Sequence, residues 1–308
     1  MPTKLSYLDN LRDYLRLDAT IESDVVRELH THLEDKSHEL IESGLTEEDA
    51  TATAAQLLGS PRLVAQQMYE VYSAGTWFQA LFAALPHLLV ASLFALHCWQ
   101  STIWLLGVLG VVIGVVIYGW CHSKPAWLFP WLGCCLIPVI AVGTLLIYLP
   151  GGWAWFSATA YIPLALLVVF SVTKQTIKKD WLFASLMLLP IPIVLGWILA
   201  LEIGDELLWH EKLYDFAPLI AWSFAALAMT VATFIRVKQR WAKAGALLAL
   251  EVIVLVIVAL GDKSAIGFGG WLLLVLIALV LLLGPALLER KIREADQKPL
   301  KLSNKSTL

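Results

Sequence analysis

The chain predicts an all-α fold in two parts, a small N-terminal cytoplasmic helical domain followed by a polytopic bundle of about eight transmembrane helices. Three observations carry this. The 308 residues are 59% apolar, against roughly 45–50% in soluble domains. Polarity changes abruptly: residues 1–76 are charged and helix-patterned, whereas 77–288 are almost continuously apolar between short polar loops. Lys and Arg also fall on alternate loops of the apolar part. The expected divisions are 1–76, 77–288 and a basic cytoplasmic tail over 289–308.

The first 30 residues are charged and contain no apolar segment of the kind a signal peptide needs. The first membrane helix is therefore expected to act as the insertion signal, leaving the domain before it in the cytoplasm. That domain reads as four short helices. The first, about Leu5–Leu17, sets Leu8, Leu11 and Leu15 on one stripe. The second, about Ile21–Ser43, repeats Val25, Val26, Leu29, Leu33, Leu40 and Ile41 at helical spacing. Gly44 is placed to cap it in the left-handed conformation. Thr46-Glu-Glu-Asp49 matches a capping box, with Thr46 accepting from the third amide and Asp49 reaching back. The third helix ends at Gly59. Pro61 then opens the fourth, at a first-turn position where its missing N–H costs nothing.

These residues also resemble a known family. Glu28-Leu-His-Thr-His32-Leu-Glu-Asp35, Gly44-Leu-Thr-Glu-Glu-Asp-Ala50, and Leu57-Leu-Gly-Ser-Pro61 with Val64-Ala65 look like the HAAS domain. That is the helix-turn-helix-associated α-helical signalling domain, also called a permease prefix domain. The resemblance covers roughly residues 5–72 and does not extend into the membrane part. It implies a bacterial cytoplasmic (inner) membrane protein with a role in signalling or regulation. It also implies a cytoplasmic partner such as a PadR-type transcription regulator, although some relatives resemble transporter permeases. It transfers no catalytic residues. The candidate partner-binding residues are His32, Leu33, Glu34, Asp35, Gly59 and Pro61.

Residues 1–76 hold 6 Lys+Arg against 14 Asp+Glu, a balance that DNA phosphates repel. Direct nucleic-acid binding is not expected, so any link to transcription would run through a protein. The cytoplasmic loops and tail carry the opposite charge. Either the acidic domain docks on them, or each charge bias has its own separate cause. A metal site is not expected: His30 and His32 point about 200° apart on one helix, and His38 follows at poor spacing. His32 is read instead as a structural member of its helix.

Eight apolar runs follow, about 77–98, 101–121, 127–149, 153–173, 181–201, 216–235, 241–260 and 266–288, each close to the roughly 20 residues a bilayer requires. With the N-terminus inside, 14 Lys+Arg fall on inside segments, and outside there are only Lys212 and Lys263. Both termini are then cytoplasmic and the helix number even. The tightest joint is Trp99–Ser101. Trp77, Trp127, Trp181 and Trp241 each open an odd-numbered span, which fits either interfacial indoles or a repeat of helical hairpins. Pro138 and Pro192, each eleven residues into its span, should kink their helices. Cys98, Cys121, Cys134 and Cys135 are read as buried apolar thiols.

Glu251 is the sharpest single residue, about ten residues into its span and near the bilayer centre. An acidic group there costs about 3 kcal/mol and turns to the bundle interior. His87 stands ten residues into the first span, so the two could meet at one depth as a proton relay or polar ligand site; the plain alternative is an inert, hydrogen-bonded Glu251. Gly110 and Gly114, with Gly107 on the same helix, should pack inside the bundle. The acidic loop 202–215, with Trp209 and His210, is the sizeable outside segment, either sensory or simply solvated. The tail after Glu289 reads as disordered and fit to touch anionic lipid.

No phosphate loop, zinc helix or nucleophile motif appears, so neither catalysis nor a cofactor is expected. The favoured reading is a regulatory or sensory membrane protein, surrounded by membrane lipid and coupled to a cytoplasmic protein partner. The alternative is a permease-type transporter subunit whose ATPase is a separate chain.

Overall fold

The computed structural model of the chain describes residues 4–15, 17, 19–122, 125–148, 152–201, 209–261 and 266–303. Every regular element among them is helical. The chain divides into two compact units, Met1–Gly75 with Arg236–Arg240, and Thr76–Ile235 with Trp241–Leu308.

In the first unit α1 (Lys4–Tyr14) packs on α4 (Pro61–Tyr72), and α2 (Ala19–Glu42) packs on α3 (Glu47–Leu58). The sequence stripes become the core: Leu8, Leu11 and Leu15 meet Val25, Leu29 and Leu33. Ile41 does not join them and is exposed. Adjacent helical positions stand about 100° apart, and its neighbour Leu40 takes the inward place. Gly44 has φ +102°, the left-handed conformation expected of the cap. The capping box at Thr46 is only half made. The Asp49 amide donates to Thr46 Oγ1 at 3.3 Å, but the Asp49 carboxylate takes the Thr46 hydroxyl at 2.8 Å. Aspartate is one methylene shorter than the glutamate that usually reaches back.

The segment Arg236–Arg240 belongs to this unit. The Ser73 hydroxyl donates to the Lys238 carbonyl at 3.2 Å and the Arg236 guanidinium to the Gly75 carbonyl at 3.0 Å. The Arg240 guanidinium stands 5.4 Å from the centre of the Tyr69 ring, within cation–π range.

The second unit opens with a reciprocal capping box. The Gln79 amide donates to Thr76 Oγ1 at 3.2 Å, and the Thr76 amide to Gln79 Oε1 at 2.9 Å. Eight helical stretches among the described residues are long and apolar enough to cross a membrane. They run through α5 (Trp77–Ala95), α6 (Thr102–Cys121) and α7 (Leu128–Tyr148), then α8 (Trp153–Phe156) with α9 (Ile162–Lys179), and α10 (Trp181–Leu188) with α11 (Pro190–Leu201). They end with α12 (Trp209–Arg236), α13 (Arg240–Gly261) and α14 (Phe268–Ser303). The chain is a multi-pass helical membrane protein. Its outward surface of Leu, Ile, Val and Phe side chains suits a lipid surrounding. The α10–α11 span is its centre, 72% buried against 11% for α6, and packs on α7 and α14.

Several boundaries differ from the sequence pattern. The fourth stretch contains a π turn over Ser157–Tyr161, where the Ile162 amide donates to the Ser157 carbonyl. It then continues to Lys179, beyond the apolar run of about 153–173. The fifth breaks at Leu189, between two helices, where Pro190 and Pro192 remove amide donors. The sixth begins at Trp209, which makes helix of half the expected outside loop; residues 202–208 lie outside the described residues. Backbone helix continues through 289–303 where disorder was expected, because Glu, Arg, Lys, Ala and Gln there are good helix formers. The turn between α5 and α6 is as tight as expected, one 3-10 turn over Cys98–Gln100 entered through His97 at φ 55°.

Two packing expectations fail. A Cβ at Gly107, Gly110 or Gly114 would meet nothing within 4 Å, so this glycine face points out of the bundle instead of packing inside it. Only Cys134 is buried; Cys121, last residue of its helix, is exposed. Trp77 and Trp241 are exposed, whereas Trp127 and Trp181 pack on the core. The four indoles thus share a position along the chain but not a role.

Candidate functional site

The site is built on α13. Its buried residues Lys243, Leu247, Leu250, Glu251, Val254 and Val258 recur every three or four positions and form one inward face. Glu251 lies at mid-length of this 22-residue helix. Its Oε1 is buried and without a hydrogen-bond partner. The carboxyl borders a cavity of about 10 Å³ with Leu189, Pro192, Ile193 and Ala278, room for one water at most.

The opposite wall is the break in the fifth stretch. Pro192 has no N–H for the Leu188 carbonyl, nor Pro190 for the Leu186 carbonyl. A buried carboxyl that shares a small cavity with a helix break can exchange a proton or hold one small polar guest. An ionised carboxylate at such depth is costly, and helix breaks of this kind are tolerated where protein surrounds them.

His87 does not join this site. It is fully buried on α5, and neither ring nitrogen has a hydrogen-bond partner. No hydrogen bond joins it to Glu251, so the direct pairing that the sequence allowed is not made. The surroundings of His87 are organised by its neighbour Pro86, which leaves the Phe82 carbonyl without its helical donor. The Trp131 indole of α7 supplies one at 3.0 Å. Cys134 Sγ lies 3.9 Å from the Pro86 carbonyl.

No protein-family model, curated protein or solved structure matches the chain.

Three further buried charged residues were missed by sequence reasoning, which counted them as loop and tail. Lys243 is 1% exposed, with Nζ 5.2 Å from the Phe234 ring centre and 6.0 Å from that of Phe183. Asp180 is fully buried at the N-cap of α10, where Oδ1 accepts from the Leu182 amide at 3.2 Å. Glu289 on α14 is also buried. A signal was available for the lysine: positions 243, 247 and 251 are four apart, so Lys243 lies on the face of Glu251. Nothing similar marks Asp180 or Glu289, whose burial depends on how separate helices meet.

In the first unit the six motif residues divide by role. Leu33 is core, 1% exposed. Gly59 turns the chain at φ +93° and its carbonyl accepts from the Tyr7 hydroxyl at 3.0 Å. Pro61 is the first residue of α4, capped by Ser60. These three hold the fold. His32, Glu34 and Asp35 face outward on α2, so His32 does not fill the structural place expected of it. Glu34 lies 3.5 Å from His30. Among the described residues no group of His, Cys, Asp and Glu is disposed to bind a metal.

Proposed function

We propose that this chain is a regulatory or sensory protein of the bacterial cytoplasmic membrane, with both termini in the cytoplasm. Its N-terminal helical unit would engage a cytoplasmic protein partner and report the state of the bundle to it. One observation supports this most: the segment Arg236–Arg240 is part of the N-terminal unit, bonded to Ser73, Gly75 and Tyr69. That segment leads directly into α13, whose inward face carries Lys243 and Glu251. A partner that shifts the first unit would load the start of that helix. The outward face of α2 adds a contact surface, with Asp24, Glu28, Asp35, Glu39 and Glu42 all exposed. Their spacing of three, four or seven residues keeps them on one side of the helix, and a basic partner would suit them. The resemblance of residues 5–72 to the HAAS domain points the same way.

The deciding experiment is co-purification from native membranes in mild detergent, with and without residues 1–72. A transcription regulator or signalling protein that binds the full chain and is lost with the deletion is the expected result. No such partner, or one retained by the truncated chain, would overturn the reading. A separate ATPase would favour the permease reading, which has its own support in Glu251 beside a broken helix. Glu251→Gln separates the two. It should abolish uptake in a permease whose transport is ion-coupled rather than ATP-driven, and leave partner binding intact in a regulator; full phenotype at normal expression would remove Glu251 from any function.

A further inference from the structure

A cavity of about 290 Å³ lies in the bundle away from Glu251, between α7 and α9. That is about ten times the roughly 30 Å³ of a water molecule and near the lower end of small-molecule sites. Leu132, Leu136 and Val139 of α7 form one wall, Leu164 and Val168 of α9 the other, and Met187 of α10 lies at the base.

Its origin can be traced. The two helices are tied together at one end, where the Tyr161 hydroxyl donates to the Val139 carbonyl at 2.8 Å and the Ser157 hydroxyl to the Gly143 carbonyl at 3.2 Å. Gly143 makes room for this tie, since a Cβ there would stand 3.1 Å from the Tyr161 ring. Beyond the π turn, α9 packs on α10 and α14 and leaves α7. The two walls therefore separate along the length of the span. Close packing is the norm in protein interiors, and this opening is not filled by the chain's own side chains.

We propose that this groove binds one acyl chain of a membrane lipid. No charged residue lines it, and its polar side-chain atoms are the Cys135 thiol and the Tyr161 hydroxyl, the latter already engaged. A headgroup, sugar or ion would lose its hydrogen bonds there. The groove is continuous with the lipid-facing surface, because its rim residues Leu164 and Val168 are 62% and 52% exposed on the outer side of a membrane-spanning stretch. Hydrocarbon is what lies against that side. Occupancy names a ligand class for the regulatory reading and rests on that reading for its consequence, but not for the binding itself.

The test is photolabelling of the full-length protein in phosphatidylglycerol vesicles, with a phosphatidylglycerol carrying a diazirine near the end of one chain. Adducts are mapped by mass spectrometry. Adducts on 132–139 and 164–172 should exceed those on Val111 and Ile113, comparably exposed at mid-length of α6, by about tenfold, the factor that 1.4 kcal/mol of binding carries. Ala165→Trp fills the groove and should erase the excess; Leu164→Trp does so from the rim. Leu167→Trp, equally bulky but outside the lining, should not. Labelling that simply follows exposure overturns the proposal, as does an excess that survives Ala165→Trp in folded protein. Cross-links from the groove to a second copy of the chain would also overturn it. The adduct map reads binding alone, so its failure leaves the regulatory reading standing, and loss of the partner leaves the map unchanged.

Discussion

Both units bury an apolar core, but they treat charge and their outer surface in opposite ways. The first hides Leu, Val, Ala and Tyr, and leaves its acidic residues outside. The second hides Lys243, Asp180, His87 and Glu251, and turns Leu, Ile, Val and Phe outward. Both are built from α-helices, and the surroundings account for the difference in their charges and outer surfaces. Water accepts charge and repels hydrocarbon, whereas lipid does the reverse, so a polar group in a membrane helix finds its place inside.

The strongest way to break this comparison is to remove a charge from each unit. Lys243→Ala takes a cation from an almost fully buried site at the end of the bundle where Asp180 and Glu289 are the buried carboxylates. Truncating so deeply buried a side chain leaves a cavity, at a cost of roughly 2–5 kcal/mol. Lys36→Ala in the first unit breaks an exposed pair with Glu39, 2.7 Å apart, and such pairs contribute about 0.5 kcal/mol. Thermal unfolding of each variant in detergent should show a large loss for the first and almost none for the second. Equal losses would mean that Lys243 is not held as its burial suggests.

A second test stays within the bundle and predicts opposite signs. A Cβ on Gly133 would stand 2.5 Å from the Met187 carbonyl oxygen, where α7 and α10 nearly touch. Gly133→Ala must push two backbones apart, at a cost of about 1–3 kcal/mol. At Gly110 a Cβ meets nothing within 4 Å. Gly110→Ala should be neutral, or gain up to about 1 kcal/mol from helix propensity. Unfolding midpoints for the pair read this directly. A large loss at Gly110 would show that its open face is covered by another molecule.

That pair also shows where the sequence was legible. In the first unit, periodicity named the core because only one side of each helix is apolar: Leu11 and Leu33 were identified by spacing, and Gly44 by its place after the helix. In the bundle almost every side is apolar, so spacing cannot say which face turns inward. Gly110 and Gly133 look alike in sequence, yet one faces out and the other touches a backbone. Polar residues were the better guide. Glu251 was found by its depth, and Lys243 could have been found by its spacing from Glu251. The cavity between α7 and α9 had no local signal, because it arises from how two helices separate beyond a π turn.

The smaller predictions concern polar groups at the core of the water-facing unit. Burial pushes the Tyr7 hydroxyl above its ordinary value, and it donates to the Gly59 carbonyl. Tyr7→Phe should cost about 1 kcal/mol, read as faster amide exchange in α1 and α4 of the full chain. A folded-state value above the unfolded one means that this contribution is complete below about pH 10 and fades as pH rises further. Wild type and Tyr7→Phe should therefore converge in strong base.

Glu22 follows the same rule in a lower window and with a smaller effect. Burial raises its value, and the nearby Arg12 guanidinium, 3.5 Å away, pulls it back. Protonated Glu22 suits the folded unit better than the ionised form does. Its favourable contribution is thus complete below the ordinary carboxyl value of 4.5 and is lost as pH climbs through the raised one. Glu22→Gln stays neutral and escapes that loss. Exchange protection of α1 and α2 should match wild type in acid and exceed it above that window. Parallel profiles at every pH would mean that Arg12 fully offsets the burial. The carboxylate would then sit at the edge of this core at no cost, as a residue facing water can and Glu251, walled by Leu189, Pro192 and Ile193, cannot.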